Sequence, residues 1–264
     1  MKQTLVWKAD EYDKLSIAQD SAASEFLKRL SIGKGASILD VGCGNGKISA
    51  RLAKIAEEGE VLGIDKSKEM ISFARENYSK EQNLLFKIQD AQKLLFKNRF
   101  DVVFSSFALQ WIEDKNGFFQ KAYRALKREG TLAMIVPTGV SPELEEAVGS
   151  VTHLSKWKEY FKGFHPGWFF SDSQSIKHLI LESMFRVDYS HMSVQEVEFS
   201  SREAFERYVL LWFPYLRPLP QDLKEVFFRE VLEEYFRLLP IQEDGTVRMR
   251  IPKLDIIATK LSNS

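Results

Sequence analysis

A glycine-rich segment carries the most chemical information in this sequence. Residues 40–47 read Asp-Val-Gly-Cys-Gly-Asn-Gly-Lys, after a short apolar run and before a helical pattern. Glycine permits sharp turns and lets a ligand approach main-chain atoms closely. The N–H groups at the start of the following helix can bind an anion or a polar group. The segment therefore predicts a ligand-binding loop.

Acidic residues end the next two predicted strands. Asp65 follows an apolar run 19 residues after Gly46, and Asp90 ends the run after that. A carboxylate at the first of these positions can accept two hydrogen bonds from ribose hydroxyls. The G-x-G-x-x-G pattern of dinucleotide-binding loops would need glycine at position 47, where this chain has Lys47. A nicotinamide dehydrogenase is therefore disfavoured.

The elements around these residues alternate between strand and helix. Apolar runs predict strands over 38–41, 61–64, 84–88, 101–104 and 131–136, and helical spacing predicts helices over 20–30, 48–55, 67–74 and 118–126. Such alternation predicts a mostly parallel, doubly wound α/β sheet. The carboxyl ends of its strands lie at one edge, so Asp40, Asp65, Asp90 and Ser105 should converge.

The second half is richer in helices and aromatic residues. Helices are predicted over 143–164, 173–184, 202–212 and 221–238, and strands over 185–197 and 247–259, the last broken by Pro252. We expect the two late strands to complete the sheet, with a helical insertion between them.

Composition excludes several classes of protein. Lys plus Arg and Asp plus Glu both number 37, so the net charge of zero argues against a chain that coats nucleic acid or an acidic membrane. The single cysteine, Cys43, excludes an intramolecular disulfide and any multi-cysteine metal site. No apolar run approaches the ~18 residues of a membrane span. We expect a soluble cytoplasmic protein without a metal.

The glycine loop, its preceding acid, Asp65 and Asp90 together resemble motif I and its partners in class I S-adenosylmethionine (SAM)-dependent methyltransferases. The resemblance implies a Rossmann-like, seven-stranded sheet with a late antiparallel strand, helical insertions forming a cap, and SAM as cofactor. By position it implies that the loop borders the methionine part of SAM, Asp65 the ribose, and Asp90 with Ala91 the adenine. The cofactor-binding residues implied are Asp40, Gly42, Cys43, Gly44, Asn45, Gly46, Asp65, Lys66, Met70, Asp90, Ala91, Ser105, Ser106 and Phe107.

The segment after the fourth strand bears on the methyl acceptor. It reads Ser-Ser-Phe-Ala-Leu-Gln-Trp over 105–111 and lacks the Asn/Asp-Pro-Pro-Tyr/Phe run of many nucleobase and glutamine N-methyltransferases. Cys43 lies in the cofactor loop, and the four histidines are scattered late in the chain, so no general base stands out. A carboxylate, with a pKa near 4, is already ionised at neutral pH and needs none. Transfer would then depend on positioning and on excluding water.

Residues 107–114 resemble a segment shared by trans-aconitate, juvenile hormone acid and malonyl-carrier-protein methyltransferases, which esterify carboxylates. The stretches 7–12, 213–220 and 256–260 are also similar to this group. The resemblance implies one domain over 1–264, with segment 1–30 over the active site, a SAM-binding core over 36–137, and an acceptor cap from 140–172 and 198–245. The substrate-binding residues implied are Trp7, Tyr12, Gln19, Gln110 and Trp111. No catalytic base or metal ligand is assigned.

Several alternatives remain open at this point. An acidic acceptor favours an arginine partner, and Arg202, Arg207 and Arg217 are equally good candidates. Lys156, Lys158 and Lys162 could meet an acidic carrier protein, although such a charge run is usually a solvated face. The acceptor could therefore be a carrier-bound acid, or a carbon or nitrogen centre. A non-catalytic SAM-binding protein is a further alternative.

Overall fold

The computed structural model describes residues 9–262 and, within them, every side chain except those at positions 10, 11, 14, 17 and 18. The seven strands are β1 (Ser37–Val41), β2 (Glu60–Asp65), β3 (Leu84–Ile88), β4 (Phe100–Ser106), β5 (Leu126–Pro137), β6 (Phe185–Phe199) and β7 (Val247–Lys260). The helices are α1 (Ala9–Leu15), α2 (Ile17–Leu27), α3 (Lys47–Ile55), α4 (Lys68–Asn77), α5 (Lys115–Ala125), α6 (Pro142–Thr152), α7 (Ser173–Glu182), α8 (Arg202–Trp212) and α9 (Gln221–Leu238).

One sheet contains all seven described strands, in the order β3-β2-β1-β4-β5-β7-β6. Strands β1 to β5 pair in parallel, and β7 runs antiparallel to both β5 and β6. The predicted doubly wound sheet with a late antiparallel strand is therefore confirmed. The strand order reverses between β1 and β4, so the carboxyl ends of those strands open a crevice at the usual ligand position.

Both faces of the sheet are covered by apolar side chains. Leu39 and Ile38, neighbours on β1, belong to separate buried clusters because successive strand residues point to opposite faces. A third cluster lies in the cap, where α6, α8 and α9 pack with the outer ends of β6 and β7 around Phe205, Tyr208 and Phe227. The late helices thus have their own core beside the cofactor sheet.

Several predicted bounds differ from the structure: β5 begins at Leu126 instead of position 131, and α2 spans Ile17–Leu27 instead of 20–30. Two further differences concern whole features.

The helix predicted over 143–164 ends at Thr152, and tight turns follow it. The chain leaves the helix because Trp157 is buried against Phe227, with ring centroids 5.2 Å apart. The Trp157 indole N–H also donates to Glu230 Oε2 at 2.8 Å.

The predicted break at Pro252 is absent. The regular pairing between β5 and β7 ends at Lys253, and at Pro252 only the carbonyl is used on that side, accepting from the Thr138 N–H at 3.0 Å, so the missing proline N–H breaks no strand pairing there.

Candidate active site

The glycine loop joins β1 to α3 with three left-handed residues. Gly42, Gly44 and Gly46 have φ values of 73°, 52° and 84°. The N–H groups of Gly42 and Cys43 both donate to the Ile64 carbonyl, at 2.8 and 3.0 Å, which fixes the loop to the end of β2. A Cβ on Gly42 would lie 2.3 Å from the Ala108 Cβ, so the loop also packs against the segment after β4.

Asp65 lies beside this loop at the end of β2. Its Oδ2 accepts a hydrogen bond from the Gly44 N–H at 3.1 Å, and its Oδ1 accepts one from the Ser67 N–H at 2.8 Å. Burial raises the pKa of the Asp65 carboxyl, and these two N–H groups oppose that rise. Each carboxylate oxygen retains a lone pair for a ligand hydroxyl.

Asp40, directly before the glycines, is a second buried acid. Only 2% of the residue is exposed, and the Ser49 hydroxyl donates to its Oδ2 at 2.5 Å. Burial raises the pKa of Asp40 to about 7, with the Ser49 hydrogen bond opposing and the nearby Asp65 charge adding to the rise. A cationic ligand group near this carboxyl would favour its ionised form.

The remaining predicted cofactor residues lie at or just after the ends of β2, β3 and β4, except for Met70, which lies in the first turn of α4. Asp90 accepts a hydrogen bond from the Gln92 N–H at 2.8 Å and starts the short 3₁₀ turn Ala91–Lys93. Met70 is buried, whereas Lys66 is exposed. Ser105 donates to the Val41 carbonyl at 2.9 Å. Within residues 9–262, the buried Ser106 hydroxyl has no hydrogen-bond partner.

Helices α1 and α2 lie over the glycine loop. The Asn45 side-chain amide donates to Asp13 Oδ1 at 2.8 Å, and a Cβ on Gly44 would face the Tyr12 ring at 3.8 Å. Asp20 forms ion pairs with Lys47, at 3.0 Å, and with Arg51, at 2.6 Å. The structure thereby brings Tyr12 to the site, while the predicted substrate residue Trp7 lies outside the described residues.

An inner cavity of about 80 Å³ adjoins this region. Its lining includes Tyr12, Gln19, Gln110 and Trp111, which are four of the five predicted substrate residues. The other lining residues are Phe107, Pro137, Gly139, Val140, Trp168, Phe170, Tyr208, Trp212, Met249 and Ile251. The Gln110 amide donates to the Phe107 carbonyl at 2.8 Å. Phe107 has a φ of 53°, an uncommon value for a residue with a side chain, and it starts the turn that places Gln110 and Trp111.

The ionisable groups that line the inner cavity are two phenols. Burial raises the pKa of Tyr208 to about 12, and burial likewise raises that of Tyr12 above its ordinary value. Both phenols are therefore neutral at physiological pH and can donate hydrogen bonds but cannot act as bases there. None of the four histidines lines either described cavity.

An outer cavity of about 220 Å³ shares Gly139, Val140, Trp168 and Phe170 with the inner one. Its other walls are Thr138, Leu144, Glu145, Val148, Pro166, Phe213 and Tyr215. The segment that carries Trp168 and Phe170 is held to the inner site because the Phe169 N–H donates to the Gln110 carbonyl at 2.8 Å. The two cavities therefore adjoin one another and share a wall.

The three candidate arginines have different surroundings in the structure. Arg202 forms an ion pair with Glu206 at 2.7 Å, and Arg207 is exposed. Arg217 is half-buried beside the outer cavity, where its Nη1 donates to the Pro166 carbonyl at 3.3 Å. Among the predicted docking lysines, Lys156 is already paired with Glu230 at 2.8 Å.

Sequence patterns gave no indication of two contributors to the site, and they did not single out a third. Tyr208 follows the apolar spacing of α8 and is indistinguishable in sequence from a core residue, although its hydroxyl reaches Gln19. Asp13 pairs with the loop from α1, a helix that the sequence pattern did not predict. Trp168 was recognisable only as one aromatic residue among several in the insertion. Long-range packing places all three.

Comparisons with known proteins agree with this architecture. A family model described as a methyltransferase domain matches residues 32–205. The 235L protein of Invertebrate iridescent virus 6 is 27% identical over 247 residues, covering 93% of this chain and 89% of the relative. The trans-aconitate 2-methyltransferase of Enterobacter sp. (strain 638) is 25% identical over 262 residues, covering 96% and 98%.

Among solved structures, phosphoethanolamine N-methyltransferase 2 of Haemonchus contortus, in complex with phosphomonomethylethanolamine and S-adenosylhomocysteine, matches with a TM-score of 0.59. The two chains are 21% identical, and the match covers 96% of this chain and 57% of the other. At that identity the likeness concerns the fold. In the described part of the chain, no helix is long and apolar enough to cross a membrane, and no group of three acidic, histidine or cysteine side chains could hold a metal ion.

Proposed function

This chain belongs to the methyltransferase-domain family and is a SAM-dependent enzyme, and we propose that it methylates a carboxylate oxygen of a small-molecule acid. The observation that carries the proposal is the neutral lining of the inner cavity. Its two phenols are held in the protonated form, and no histidine or carboxylate lines it. An acceptor that reacts there must be nucleophilic without help from a base of the protein, which favours an ionised carboxylate over an alcohol or a phenol.

The residues around the glycine loop fit the cofactor. The left-handed glycines leave space beneath Tyr12, and the Asp65 carboxylate has lone pairs free for two ribose hydroxyls. The start of α3 presents main-chain N–H groups to the loop. Asp40 and Asp65 place negative charge near the site of a cationic ligand. When bound, SAM supplies an electrophilic methyl group on its sulfonium.

The chain's own residues would then bind and orient the acceptor. Gln19 has a second amide hydrogen beyond the one given to Tyr208, and this hydrogen can bind a carboxylate oxygen. Trp111, Trp168 and Phe170 exclude water from the two charged reactants, which strengthens their attraction. Holding the acceptor oxygen in line with the methyl group lowers the entropic part of the barrier.

The named relatives support a carboxylate acceptor. The Enterobacter relative is named for trans-aconitate, a carboxylic acid, and it aligns over nearly the full length of both chains. We also propose that the substrate is a small molecule and that the enzyme is cytoplasmic. The predicted assignments of single residues to cofactor or acceptor belong to this proposal as well.

An amine acceptor is the second candidate, and one observation favours it. The amide oxygens of Gln19 and Gln110 are buried without a hydrogen-bond partner in the described structure, and Trp111 and Trp168 meet edge to face with ring centroids 6.4 Å apart. Amide oxygens and aromatic faces can bind an ammonium group. Such a substrate would have to lose a proton before transfer.

The experiment is a panel of acceptors incubated with the purified protein and SAM labelled on the methyl carbon. It should contain short aliphatic acids, unsaturated acids, one acid bound to a carrier protein, and matched amines and alcohols. The proposal expects turnover of free acids at the highest kcat/KM. Turnover of amines or alcohols alone would refute it, and a preference for the carrier-bound acid would favour that alternative.

A further inference from the structure

Arg217 is unusual among the described arginines because its charge has no acidic partner although it is half-buried. It follows the 3₁₀ turn Pro214–Leu216, and its Nη1 contacts the Pro166 carbonyl at 3.3 Å. Its Nε is buried without a hydrogen-bond partner, and no carboxylate of the described residues lies within ion-pair distance. Withdrawing a guanidinium from water without compensation is costly.

The main chain around Arg217 is built to approach it closely. Gly167 adopts a φ of 82°, and a Cβ there would lie only 3.6 Å from the Arg217 Nη1. Pro166, whose carbonyl accepts the Arg217 hydrogen bond, and Tyr215, two residues before Arg217, both line the outer cavity, so the guanidinium lies directly behind one wall residue of that cavity. The loop thus encloses one edge of the guanidinium and leaves it next to the space that an acceptor would occupy.

A row of aromatic rings connects this corner to the inner cavity. Tyr215 contacts Trp168 at 5.9 Å between ring centroids, and Trp168 contacts Trp111 at 6.4 Å. The inner end is lined by Gln19 and the neutral phenols, whereas the Arg217 guanidinium adjoins the outer end through its hydrogen bond to the wall residue Pro166. The acceptor space is therefore polarised along its length, with an apolar middle.

Resting on the proposed function, we infer that Arg217 forms a second subsite at the outer end, which binds an anionic group distal to the carboxylate that accepts the methyl group. The class of acceptor is an elongated molecule with an apolar or unsaturated middle and an anion at each end. The distal anion is a carboxylate or a phosphate, since a guanidinium can bind either in bidentate fashion. Arg217 is a specificity-determining residue in this scheme and takes no part in the transfer step.

Glu145 is the acidic side chain among the residues that line the outer cavity. It is exposed, so solvent screens its charge, whereas the Arg217 Nε is withdrawn from water. The sum of these two electrostatic interactions at the outer end therefore favours binding of an anion. Glu145→Gln is expected to tighten binding of a doubly charged acceptor slightly.

The experiment compares acceptors that differ only at the distal end. Dicarboxylates from succinate to suberate, their monomethyl esters and matching ω-phosphono acids are titrated against the protein with S-adenosylhomocysteine present, with tryptophan fluorescence as the binding signal. The same compounds are then assayed for methyl transfer. We expect at least one diacid or phosphono acid to bind roughly tenfold or more tightly than its monoester. The preferred distal group distinguishes carboxylate from phosphate.

Variants assign that preference to Arg217. Arg217→Gln should remove the difference between diacid and monoester while leaving monoester binding unchanged, and Arg217→Lys should retain part of it. The exposed Arg207→Gln is the matched control and should behave as wild type. A wild-type ratio near one, or an equal loss of diacid and monoester binding in Arg217→Gln, would overturn the inference.

The two proposals fail in different ways. Esterification of monoesters without charge discrimination would leave the proposed function intact and refute the Arg217 subsite. Charge discrimination in binding, combined with no methylation of any carboxylate, would support the subsite and refute carboxylate methylation.

Discussion

The Gln19 side-chain amide of α2 donates a hydrogen bond to the Tyr208 hydroxyl of α8 at 3.2 Å. This contact joins residues 189 positions apart and connects the N-terminal helices to the cap directly at the inner cavity. Buried hydrogen bonds fix side-chain orientation because the alternative leaves a polar group unpaired. The contact therefore fixes the orientation of the Gln19 side chain at the inner cavity.

Tyr208→Phe tests this role. The variant keeps the ring that packs against Phe199 and removes only the hydroxyl. Loss of one buried hydrogen bond, worth about 1–2 kcal/mol, should raise the acceptor KM roughly 5- to 30-fold. The dissociation constant for SAM should change less than about twofold, as measured by calorimetry.

Tyr235→Phe is the matched control for Tyr208→Phe. Its hydroxyl donates to the Arg248 carbonyl within the cap, and the residue lines neither described cavity. The control should lower the melting temperature without changing the acceptor KM. Equal effects of both variants on KM would show that Tyr208 acts only through cap stability.

Gly42→Ala should impair the cofactor loop. A methyl group at this position would meet the Ala108 Cβ at 2.3 Å. The alanine would also have to adopt the left-handed backbone conformation of Gly42, with φ at 73°. The strain should cost about 1–3 kcal/mol and weaken SAM affinity roughly tenfold or more. Gly33→Ala is the control, since a Cβ there has nothing within 4 Å. Unchanged affinity in Gly42→Ala would contradict the loop geometry.

Asp65→Asn should weaken SAM binding without unfolding the loop. The amide oxygen can still accept one main-chain hydrogen bond, but the charge that strengthens bonds from ribose hydroxyls is lost. Charge-assisted hydrogen bonds are worth about 1.5–3 kcal/mol, so affinity should fall roughly 10- to 100-fold for each ribose bond lost. Calorimetric titration of SAM measures this, with the exposed Glu69→Gln as control. Affinity equal to wild type would remove Asp65 from the cofactor site.

Asp40 should make the stability of the free protein depend on pH. Its folded-state pKa of about 7 exceeds the unfolded value, so the folded protein retains a proton that the unfolded chain releases from about pH 4 upward. Stability is therefore lost as the pH rises from about 4 to 7, by at most about 4 kcal/mol.

Asp40→Asn removes this titration. Because wild type loses this stabilisation between about pH 4 and pH 7, the melting temperature of the variant relative to wild type should rise from pH 5 to pH 8, and the variant should melt at the higher temperature at pH 8. Asp101→Asn is the control, because hydrogen bonds from Lys127 and the Ser37 N–H lower the pKa of that carboxyl. Melting curves at pH 5 and 8 test the prediction, and an Asp40→Asn protein that is less stable than wild type at pH 8 would contradict it.

Local patterns predicted most strands of the parallel sheet and two helices of the cap. The strands β1 to β4 are short apolar runs that end in polar residues, and the helices α8 and α9 occupy the predicted ranges 202–212 and 221–238. These elements carry their own periodicity. The end of α6 at Thr152 could not be predicted, because Trp157 leaves the helix to pack against Phe227, a residue 70 positions away in sequence.

The acceptor site was less accessible to sequence reasoning for the same reason. Gln19 and Trp111 were predicted through a family resemblance, whereas Arg217 stood among three equal candidates. Only its burial and its contact with Pro166 distinguish it from Arg202 and Arg207. Charge compensation is a property of the folded chain and leaves no periodic signal in the sequence.

The most direct test of the central claim is the chemical identity of the methylated product. The protein is supplied with SAM carrying a ¹³C-methyl group and with its best acceptor, and the product is examined by NMR before and after mild alkali. We predict a methyl ester whose label is released as methanol, formed at a rate that stays constant between about pH 6 and 9 because the carboxylate is ionised throughout. An alkali-stable label on nitrogen or carbon, with a rate that rises across that pH range, would contradict carboxylate methylation.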